Sequence, residues 1–230
     1  MVGCDAWSDE PAFGDVRVTG VCGSGIVEVV AELYLAGVLL SDGTIDGALA
    51  ARTPRVAPEG RTFSYVLWDE PELRITQNDV RQIQLAKAAL HAGCRLLMER
   101  YGVDRVDRVR LAGAFGAHID PVHALVLGLV PDCAPEGVTS AGNAAGTGAR
   151  IALLDRGARD EIERVVRAVE KVETAVEPRF QEHFVHAMAI PHETDPYARL
   201  GERVPLPAAR SAGPTAGRRR RARAAERRAS

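Results

Sequence analysis

The stretch Val-Arg-Leu-Ala-Gly-Ala-Phe-Gly, residues 109–116, organises the interpretation of this 230-residue chain. Val109 and Leu111 alternate with arginines, which is the period of a half-buried strand. The strand runs into Gly113 and Gly116, where the absence of a side chain lets the backbone pass close to a ligand. We therefore predict a strand followed by a glycine turn that approaches a bound molecule.

A second glycine-rich turn lies further along the chain. Residues 142–148 read Gly-Asn-Ala-Ala-Gly-Thr-Gly and open an alanine-rich helix that is predicted over residues 144–154. Glycine turns at the carboxyl ends of strands, ahead of helix N-termini, are where α/β proteins hold phosphates and nucleotides. We interpret the two turns as parts of one nucleotide site.

A third turn, Gly20-Val-Cys-Gly-Ser-Gly25, precedes apolar residues at helical spacing. This pattern predicts a helix that Gly37 closes. In one interpretation the exposed amide groups of Gly23, Ser24 and Gly25 hold an anion. In the other, the glycines only let the helix pack closely on a strand, and the residues favour neither.

The pattern around Thr76 predicts the best-defined helix of the chain. Thr76-Gln-Asn-Asp79 fits a capping box with Asp in place of Glu, and the helix it opens extends to about Tyr101. Its broad apolar surface indicates a central position. Gln84 and Lys87 interrupt that surface. Lys87 either snorkels to solvent, which spacing alone favours, or reaches a phosphate or ribose.

The remaining patterns predict shorter elements. These are a strand over 63–68, a helix over 120–128, an amphipathic helix over 158–170 with Ile162, Val165, Val166 and Val169 inward, an edge strand over 172–176, and a helix from Pro178 to Met188. On that last helix His183 and His186 share a face and could bind a metal. Two partly solvated histidines are the favoured interpretation, so no metal site is predicted.

Composition separates an acidic body from a basic tail. Residues 210–230 carry eight arginines and one glutamate. The rest of the chain then holds 21 basic and 30 acidic residues, which give it a net charge of −9. Such a body is no candidate for wrapping nucleic acid, and only the tail could touch RNA. No apolar run spans a membrane and no signal peptide is visible, so we expect a cytoplasmic chain.

The four cysteines, at positions 4, 22, 94 and 133, form no CxxC pair. A disulfide framework, or a zinc or iron–sulfur site built within this chain, is therefore not expected. The expected domain organisation is an irregular segment over 1–17, one domain over 18–192, and a disordered arginine-rich tail over 193–230. The tail from 205 onward has too few apolar residues to offset its ordering entropy, so it is predicted to be disordered.

Five motifs in order carry a family resemblance. They are Val-Thr-Gly-Val-Cys-Gly-Ser-Gly-Ile at 18–26, Ile-Thr-Gln-Asn-Asp-Val-Arg-Gln-Ile-Gln-Leu-Ala-Lys at 75–87, Val-Arg-Leu-Ala-Gly-Ala-Phe-Gly at 109–116, Gly-Asn-Ala-Ala-Gly-Thr-Gly-Ala at 142–149 and Phe-Gln-Glu-His-Phe-Val-His-Ala-Met at 180–188. Over roughly residues 16–192 the chain resembles the C-terminal ATPase region of the reductive activators of corrinoid proteins. That region belongs to the superfamily of acetate and sugar kinases, heat-shock chaperones and actin.

The resemblance implies a single actin-like ATPase lobe of α/β class, with a small mixed sheet flanked by helices. It implies that ATP and Mg²⁺ drive the one-electron reduction of a cobalt(II) corrinoid protein to cobalt(I), with the electron supplied by an iron–sulfur cluster in an N-terminal ferredoxin-like domain. Carried over to this sequence, Gly113, Ala114 and Gly116 match the adenosine turn. Gln84 and Lys87 lie on the helix expected near the ribose. Residues 142–148 match the connecting helix at the lobe interface, where Asn143 is either a ligand contact or structural.

The departures from the family pattern shape the functional prediction. There is no Asp-x-Gly-Thr phosphate hairpin and no cysteine cluster, and no catalytic residue can be assigned. The first lobe of the family pattern is missing. We therefore expect the ATP-binding lobe of a corrinoid-reducing activator, incomplete as an isolated chain, which would need that lobe or a split-gene partner. The alternative is a non-catalytic module that binds the corrinoid protein, or an inactive fragment.

Overall fold

The computed structural model describes residues 10–14, 17–113, 115–174 and 176–210. Its strands are β1 (Val56–Glu59), β2 (Thr62–Asp69), β3 (Glu72–Thr76), β4 (Val109–Ala112) and β5 (Val138–Gly142). Its α-helices are α1 (Gly23–Leu35), α2 (Gln77–Tyr101), α3 (Pro121–Leu127), α4 (Ala144–Leu154), α5 (Arg156–Ala168), α6 (Phe180–His186) and α7 (Ala198–Gly201). In the part of the chain described, no helix is long and apolar enough to cross a membrane.

The strands form two separate small sheets. β1, β2 and β3 pair antiparallel in chain order, whereas β4 and β5 pair parallel. The predicted α/β class is confirmed, with the two kinds of pairing in separate sheets rather than in one mixed sheet. Parallel pairing brings the carboxyl ends of β4 and β5 to the same edge, and this arrangement positions the glycine turns that follow both strands.

The helix α2 begins and ends where its sequence predicts. The Thr76 hydroxyl accepts a hydrogen bond from the Asp79 amide at 3.1 Å, and the Asp79 carboxylate accepts one from the Thr76 amide at 2.8 Å. This reciprocal pair satisfies amide groups that have no partner within the helix. Gly102 ends α2 with φ 70°, a left-handed conformation that glycine adopts without strain. The helix packs along α6.

The hydrophobic core lies where α1 meets α3. Val30 and Ala31 of α1 and Leu125 and Val126 of α3 are fully buried. Ile75 of β3 joins the same cluster, so the core links these helices to the antiparallel sheet. Burying each large apolar side chain contributes about 1.5–3 kcal/mol, which makes the α1–α3 contact the main source of packing energy in this region.

Two predictions about residues 158–176 are wrong. The helix α5 forms, but its apolar residues Ile162, Val165, Val166 and Val169 face solvent rather than the core. The described residues of the predicted edge strand, 172–174 and 176, adopt no strand. A strand needs a neighbouring strand to pair with, and none of the described strands pairs with this segment. Arg100 of α2 holds it instead through ion pairs with Glu170 and Glu177.

The packed body continues past residue 192, where the sequence places the end of the domain. Tyr197 and Leu200 are completely buried, and the carboxylate of Asp132 accepts hydrogen bonds from the amides of Arg199 and Leu200 at 2.9 and 3.1 Å. The buried side chains of Tyr197 and Leu200, together with the Asp132 hydrogen bonds to the start of α7, hold this helix against α3. Residues 205–210, also predicted to be disordered, are held at Arg210, whose amide donates to the Ser41 hydroxyl at 3.1 Å. Residues 211–230, and most of the irregular segment over 1–17, lie outside the described residues.

Candidate functional site

The two glycine turns predicted to form one site lie side by side. The register of β4 and β5 pairs Ala112 with Gly142, with an irregularity between Leu111 and Ala112. Just past this point the amide of Gly113 donates to the carbonyl of Gly142 at 2.8 Å. The turns after both strands are thus joined directly by a backbone hydrogen bond at one edge of the parallel pair.

The glycines of the first turn have different physical roles. Gly113 has φ 99°, a conformation that L side chains rarely adopt, and a Cβ built there would meet no atom within 4 Å. Gly116 is buried, and a Cβ there would come within 3.1 Å of the Ala112 carbonyl oxygen and the Leu111 Cβ. Gly113 is therefore required for backbone conformation beside open space, whereas Gly116 is required for close packing. Ala114 lies outside the described residues.

The second turn opens α4 with a side-chain cap. Gly142 has φ 59°, and the Asn143 side-chain oxygen accepts a hydrogen bond from the Gly146 amide at 2.9 Å. This bond assigns Asn143 a structural role as the N-cap of α4. Asn143 and the first residues of the helix are exposed, so the amides of this first turn face solvent.

The third turn, at the start of α1, adjoins the first. A Cβ on Gly23 would lie 3.2 Å from the ring of Phe115, which places the aromatic ring over the helix start. Cys22 caps α1, its Sγ accepting from the Gly25 amide at 3.3 Å. Hydrogen bonds from Ser24 and from that amide lower the pKa of the Cys22 thiol. Gly23, Ser24 and Gly25 therefore belong to the same neighbourhood as Gly113 and Gly116.

Together the three turns make an open surface lined by backbone. Two helix N-termini, of α1 and α4, present amide groups without intrahelical acceptors, and their dipoles favour negative charge nearby. Phe115, 51% exposed, supplies an apolar ring beside them. Amide donors next to an exposed ring suit a ligand that has both phosphate groups and a flat base.

The structure places Gln84 and Lys87 elsewhere. Gln84 is 1% exposed, and its side-chain amide donates to the carbonyls of Asp42 at 3.0 Å and Met188 at 2.7 Å. The close approach depends on Gly43, because a Cβ there would overlap the Gln84 side chain. The polar group of Gln84 is thus directed at backbone rather than at the glycine turns.

Lys87 is a buried donor. It is 1% exposed, so the prediction that it snorkels to solvent is wrong. Its Nζ donates to the carbonyls of Ala189 and of Pro191, the latter at 2.7 Å. Burial lowers the pKa of this amine to about 7. A ribose contact by Lys87 would have to replace these two hydrogen bonds.

A third buried polar residue of α2, His91, did not emerge from the sequence. Its Nδ1 lies 3.1 Å from the carbonyl of Gly128, and its ring stacks on His192 with centroids 4.8 Å apart. Burial, the main cause, lowers the pKa of His91 to about 3. The sequence did offer a signal for His91. Gln84, Lys87 and His91 are spaced by three and four positions, which places all three on one helix face.

The described residues around the turns do not fit a metal or an iron–sulfur centre. Asp120, the acid that follows the first turn, caps α3 by accepting from the amides of Val122 and His123 at 2.8 and 3.0 Å. No group of three His, Cys, Asp or Glu within the described ranges could hold a metal ion. We therefore derive no step through Mg²⁺ or an iron–sulfur cluster.

Three comparisons with known proteins agree. The family model described as the C-terminal domain of RACo, the ASKHA domain, matches residues 6–200. The chain is 38% identical over 186 residues to the corrinoid activation enzyme RamQ of Eubacterium limosum, covering 75% of this chain and 31% of RamQ. A solved reductive activator for corrinoid, iron–sulfur protein matches with a TM-score of 0.66 and 32% identity, over 75% of this chain and 28% of that one. The chain spans less than a third of the length of either relative.

Proposed function

Because this chain belongs to the family of RACo C-terminal ASKHA domains, we propose that it is the ATP-binding lobe of an activator that reduces cobalt(II) corrinoid proteins to cobalt(I). The named relatives are a corrinoid activation enzyme and a reductive activator. The one-electron donor lies outside the described residues in this proposal, as the resemblance implies. The role of this lobe is to bind nucleotide and to transmit its binding to the complex with the corrinoid protein.

The observation that carries the proposal is the hydrogen bond from the Gly113 amide to the Gly142 carbonyl at 2.8 Å. It joins the two turns that match the adenosine and connecting motifs of the family. In the proposed complex the base lies against the 113–116 turn, where Gly113 leaves open space. The phosphates lie toward the start of α1, where Gly23 is exposed and Ser24 is half-buried.

Nucleotide binding is tested with the full chain and a pair of glycine variants. Gly113→Ala forces a side chain into a φ of 99°, whereas Gly60→Ala does so at a φ of 58° in the turn between β1 and β2, where a Cβ would meet nothing within 4 Å. We expect ATP to bind weakly, Gly113→Ala to weaken binding about tenfold or more, and Gly60→Ala to leave it unchanged. Isothermal titration calorimetry measures all three. Equal affinity of the two variants would remove the 113–116 turn from the site.

The same protein tests catalysis. Within the described residues no group of three His, Cys, Asp or Glu could hold a metal ion, and phosphoryl transfer depends on a positioned Mg²⁺. We therefore expect the purified chain to bind ATP without sustained turnover. Continuous phosphate release that depends on Mg²⁺ and on Gly113 would overturn that expectation and assign the chain a complete ATPase site.

A second function, docking of the corrinoid protein without ATP turnover, is favoured by the surface of α4 and α5. Neither helix buries a single described side chain. Leu153 and Leu154 of α4 are 73% and 80% exposed, and Val165 and Val166 of α5 are also exposed. Exposed apolar patches of this kind mark protein interaction sites.

The two functions separate in one experiment. The paired variant Leu154→Ser with Val166→Ser removes apolar surface without touching the glycine turns. If docking uses α4 and α5, it should weaken binding to a cobalt(II) corrinoid protein in a pull-down and leave ATP affinity intact. Gly113→Ala should do the reverse. Unchanged corrinoid-protein binding by the paired variant would exclude this docking surface.

A further inference from the structure

A cavity of about 360 Å³ opens between α2, α6 and the segment after α6, on residues that the glycine turns do not include. Its wall carries three imidazoles, of His183, His186 and His192, and the guanidinium groups of Arg95 and Arg179. Two carboxylates, Glu182 and Asp195, and the hydroxyl of Thr194 complete the lining. The question is which ligand suits this mixture of charges.

The charge of Arg179 is already paired. Its guanidinium donates to Glu99 at 2.6 Å and to Glu182 at 3.3 Å, so two carboxylates face one guanidinium. Glu99 also lies 3.0 Å from the Nε2 of His183. This group holds α6 on α2, and it occupies the guanidinium of Arg179.

Arg95 and Asp195 are different. Arg95 is half-buried and makes no hydrogen bond or ion pair with any residue in the described ranges. Asp195 accepts a hydrogen bond from the Tyr197 amide on one oxygen only, at 3.1 Å. Both line the cavity without an ion pair between them. The guanidinium of Arg95 is therefore available to donate to a ligand in the cavity.

The imidazole of His192 adds a hydrogen-bond donor, and its contacts identify which ring nitrogen carries the hydrogen. Its Nδ1 accepts hydrogen bonds from the amides of Asp195 at 3.0 Å and Thr194 at 3.3 Å. The hydrogen of the neutral ring is thereby assigned to Nε2. Burial, the main cause, lowers the pKa of His192 to about 4 against the opposing effect of Asp195, so the ring is a neutral donor near pH 7.

We propose that this cavity binds a phosphate group that carries one proton, as inorganic phosphate or a phosphate monoester. Arg95 and the Nε2 of His192 donate to the phosphate oxygens, and the free oxygen of Asp195 accepts the phosphate proton. A metal ion is disfavoured because no group of three His, Cys, Asp or Glu in the described residues could hold one. A fully ionised oxyanion such as sulfate is disfavoured because Asp195 would face it without a proton between them.

The probes are inorganic phosphate and sulfate, titrated calorimetrically into the full chain at pH 7. We expect phosphate to bind with one-to-one stoichiometry and sulfate to bind at least about tenfold more weakly. Arg95→Gln should weaken phosphate binding about tenfold or more, whereas Arg164→Gln on the exposed face of α5 should not. Asp195→Asn should remove the discrimination against sulfate.

Several outcomes would overturn the proposal. The first is that Arg95→Gln binds phosphate as tightly as the wild type does. The second is that the wild type binds sulfate and phosphate equally, and the third is that the wild type binds no phosphate. Thermal unfolding checks that each variant folds; if Arg95→Gln does not, His192→Gln takes its place with the same expected loss. Gly113→Ala should leave phosphate binding here intact, so failure of this site is distinguishable from failure of the nucleotide site. Glycerol phosphate in place of inorganic phosphate tells a monoester from the free ion.

Discussion

The Nζ of Lys87 lies 2.7 Å from the carbonyl oxygen of Pro191, a residue 104 positions further along the chain. With the second bond to Ala189, this side chain ties the middle of α2 to the segment that follows α6. Gln84, one turn earlier, binds the Met188 carbonyl of the same segment. Residues 188–191 have no regular structure of their own, and these side chains satisfy their carbonyls in place of a helix or sheet.

Lys87→Met should lower the free energy of unfolding by about 1–3 kcal/mol, because it leaves buried carbonyls without donors. Urea denaturation followed by circular dichroism measures the change. The matched control is Lys171→Met, which changes an exposed lysine paired only with Glu173 and should alter stability by less than about 0.5 kcal/mol. Equal effects of the two substitutions would show that the buried donor stabilises nothing.

The same lysine makes stability depend on pH. Its pKa is about 7 in the fold and 10.5 ordinarily, so between these values the unfolded chain holds a proton that the folded chain lacks. The free energy of unfolding should therefore rise with pH above 7, by up to about 1.4 kcal/mol per pH unit from this group, and its destabilising effect is fully present below pH 7. Denaturation at pH 7.0 to 8.5 should show a smaller rise in Lys87→Met than in the wild type. Parallel profiles would contradict the lowered pKa.

At the acidic end, His91 and His192 act in the same direction. Burial lowers the pKa of His91 to about 3 and that of His192 to about 4, so below pH 6.5 the unfolded chain binds protons that the fold excludes. Stability should fall as the pH drops from 6.5 to 4. His91→Gln should flatten that fall, while the substitution of exposed His118 by Gln should reproduce the wild-type profile. A His91→Gln profile as steep as the wild type would remove His91 as a cause.

Gly128 and Gly37 form a matched pair of glycines, each with φ 71°. A Cβ at Gly37 would meet nothing within 4 Å, whereas a Cβ at Gly128 would overlap the carbonyl of Pro191. Gly37→Ala should cost only the conformational penalty, about 1 kcal/mol. Gly128→Ala should cost that amount plus the displacement of residue 191 and should lower Tm well below that of Gly37→Ala. Equal Tm values would show that the 191 segment moves aside freely.

Local sequence predicted most of the elements that surround the glycine turns. The capping box at Thr76, the alternation at Val109 and Leu111, and the proline at the start of α3 each act within a few residues, so they need no knowledge of the rest of the chain. The turns at Gly113 and Gly142 were predicted to be parts of one nucleotide site. The structure joins the two turns because parallel neighbouring strands place their carboxyl ends at one edge, and nucleotide binding there stays a prediction.

The partners of buried polar groups escaped prediction. Gln84 and Lys87 look like interruptions of an apolar face, and nothing near them in the sequence names the carbonyls at 188–191 that they bind. The apolar residues of α5 were assigned to the core because of their helical spacing, but they are exposed. Such spacing shows that a helix has an apolar face, and it does not show what packs against that face. His91 and Arg95 were missed because their surroundings come from distant parts of the chain, Gly128 and His192 for His91 and the α6 and 192–195 segments for Arg95.

The sequence by itself determined where α1, α2, β4 and α4 begin and end, and it determined which backbone positions need glycine. Those properties depend on dihedral preference and on hydrogen bonds between residues a few positions apart. Only the tertiary structure decided that Gly23 lies beside Phe115, that Lys87 is a buried donor, and that Arg95 faces a cavity. Each of these depends on a contact between distant parts of the chain, and burial and charge acquire their energetic meaning only once that contact is made.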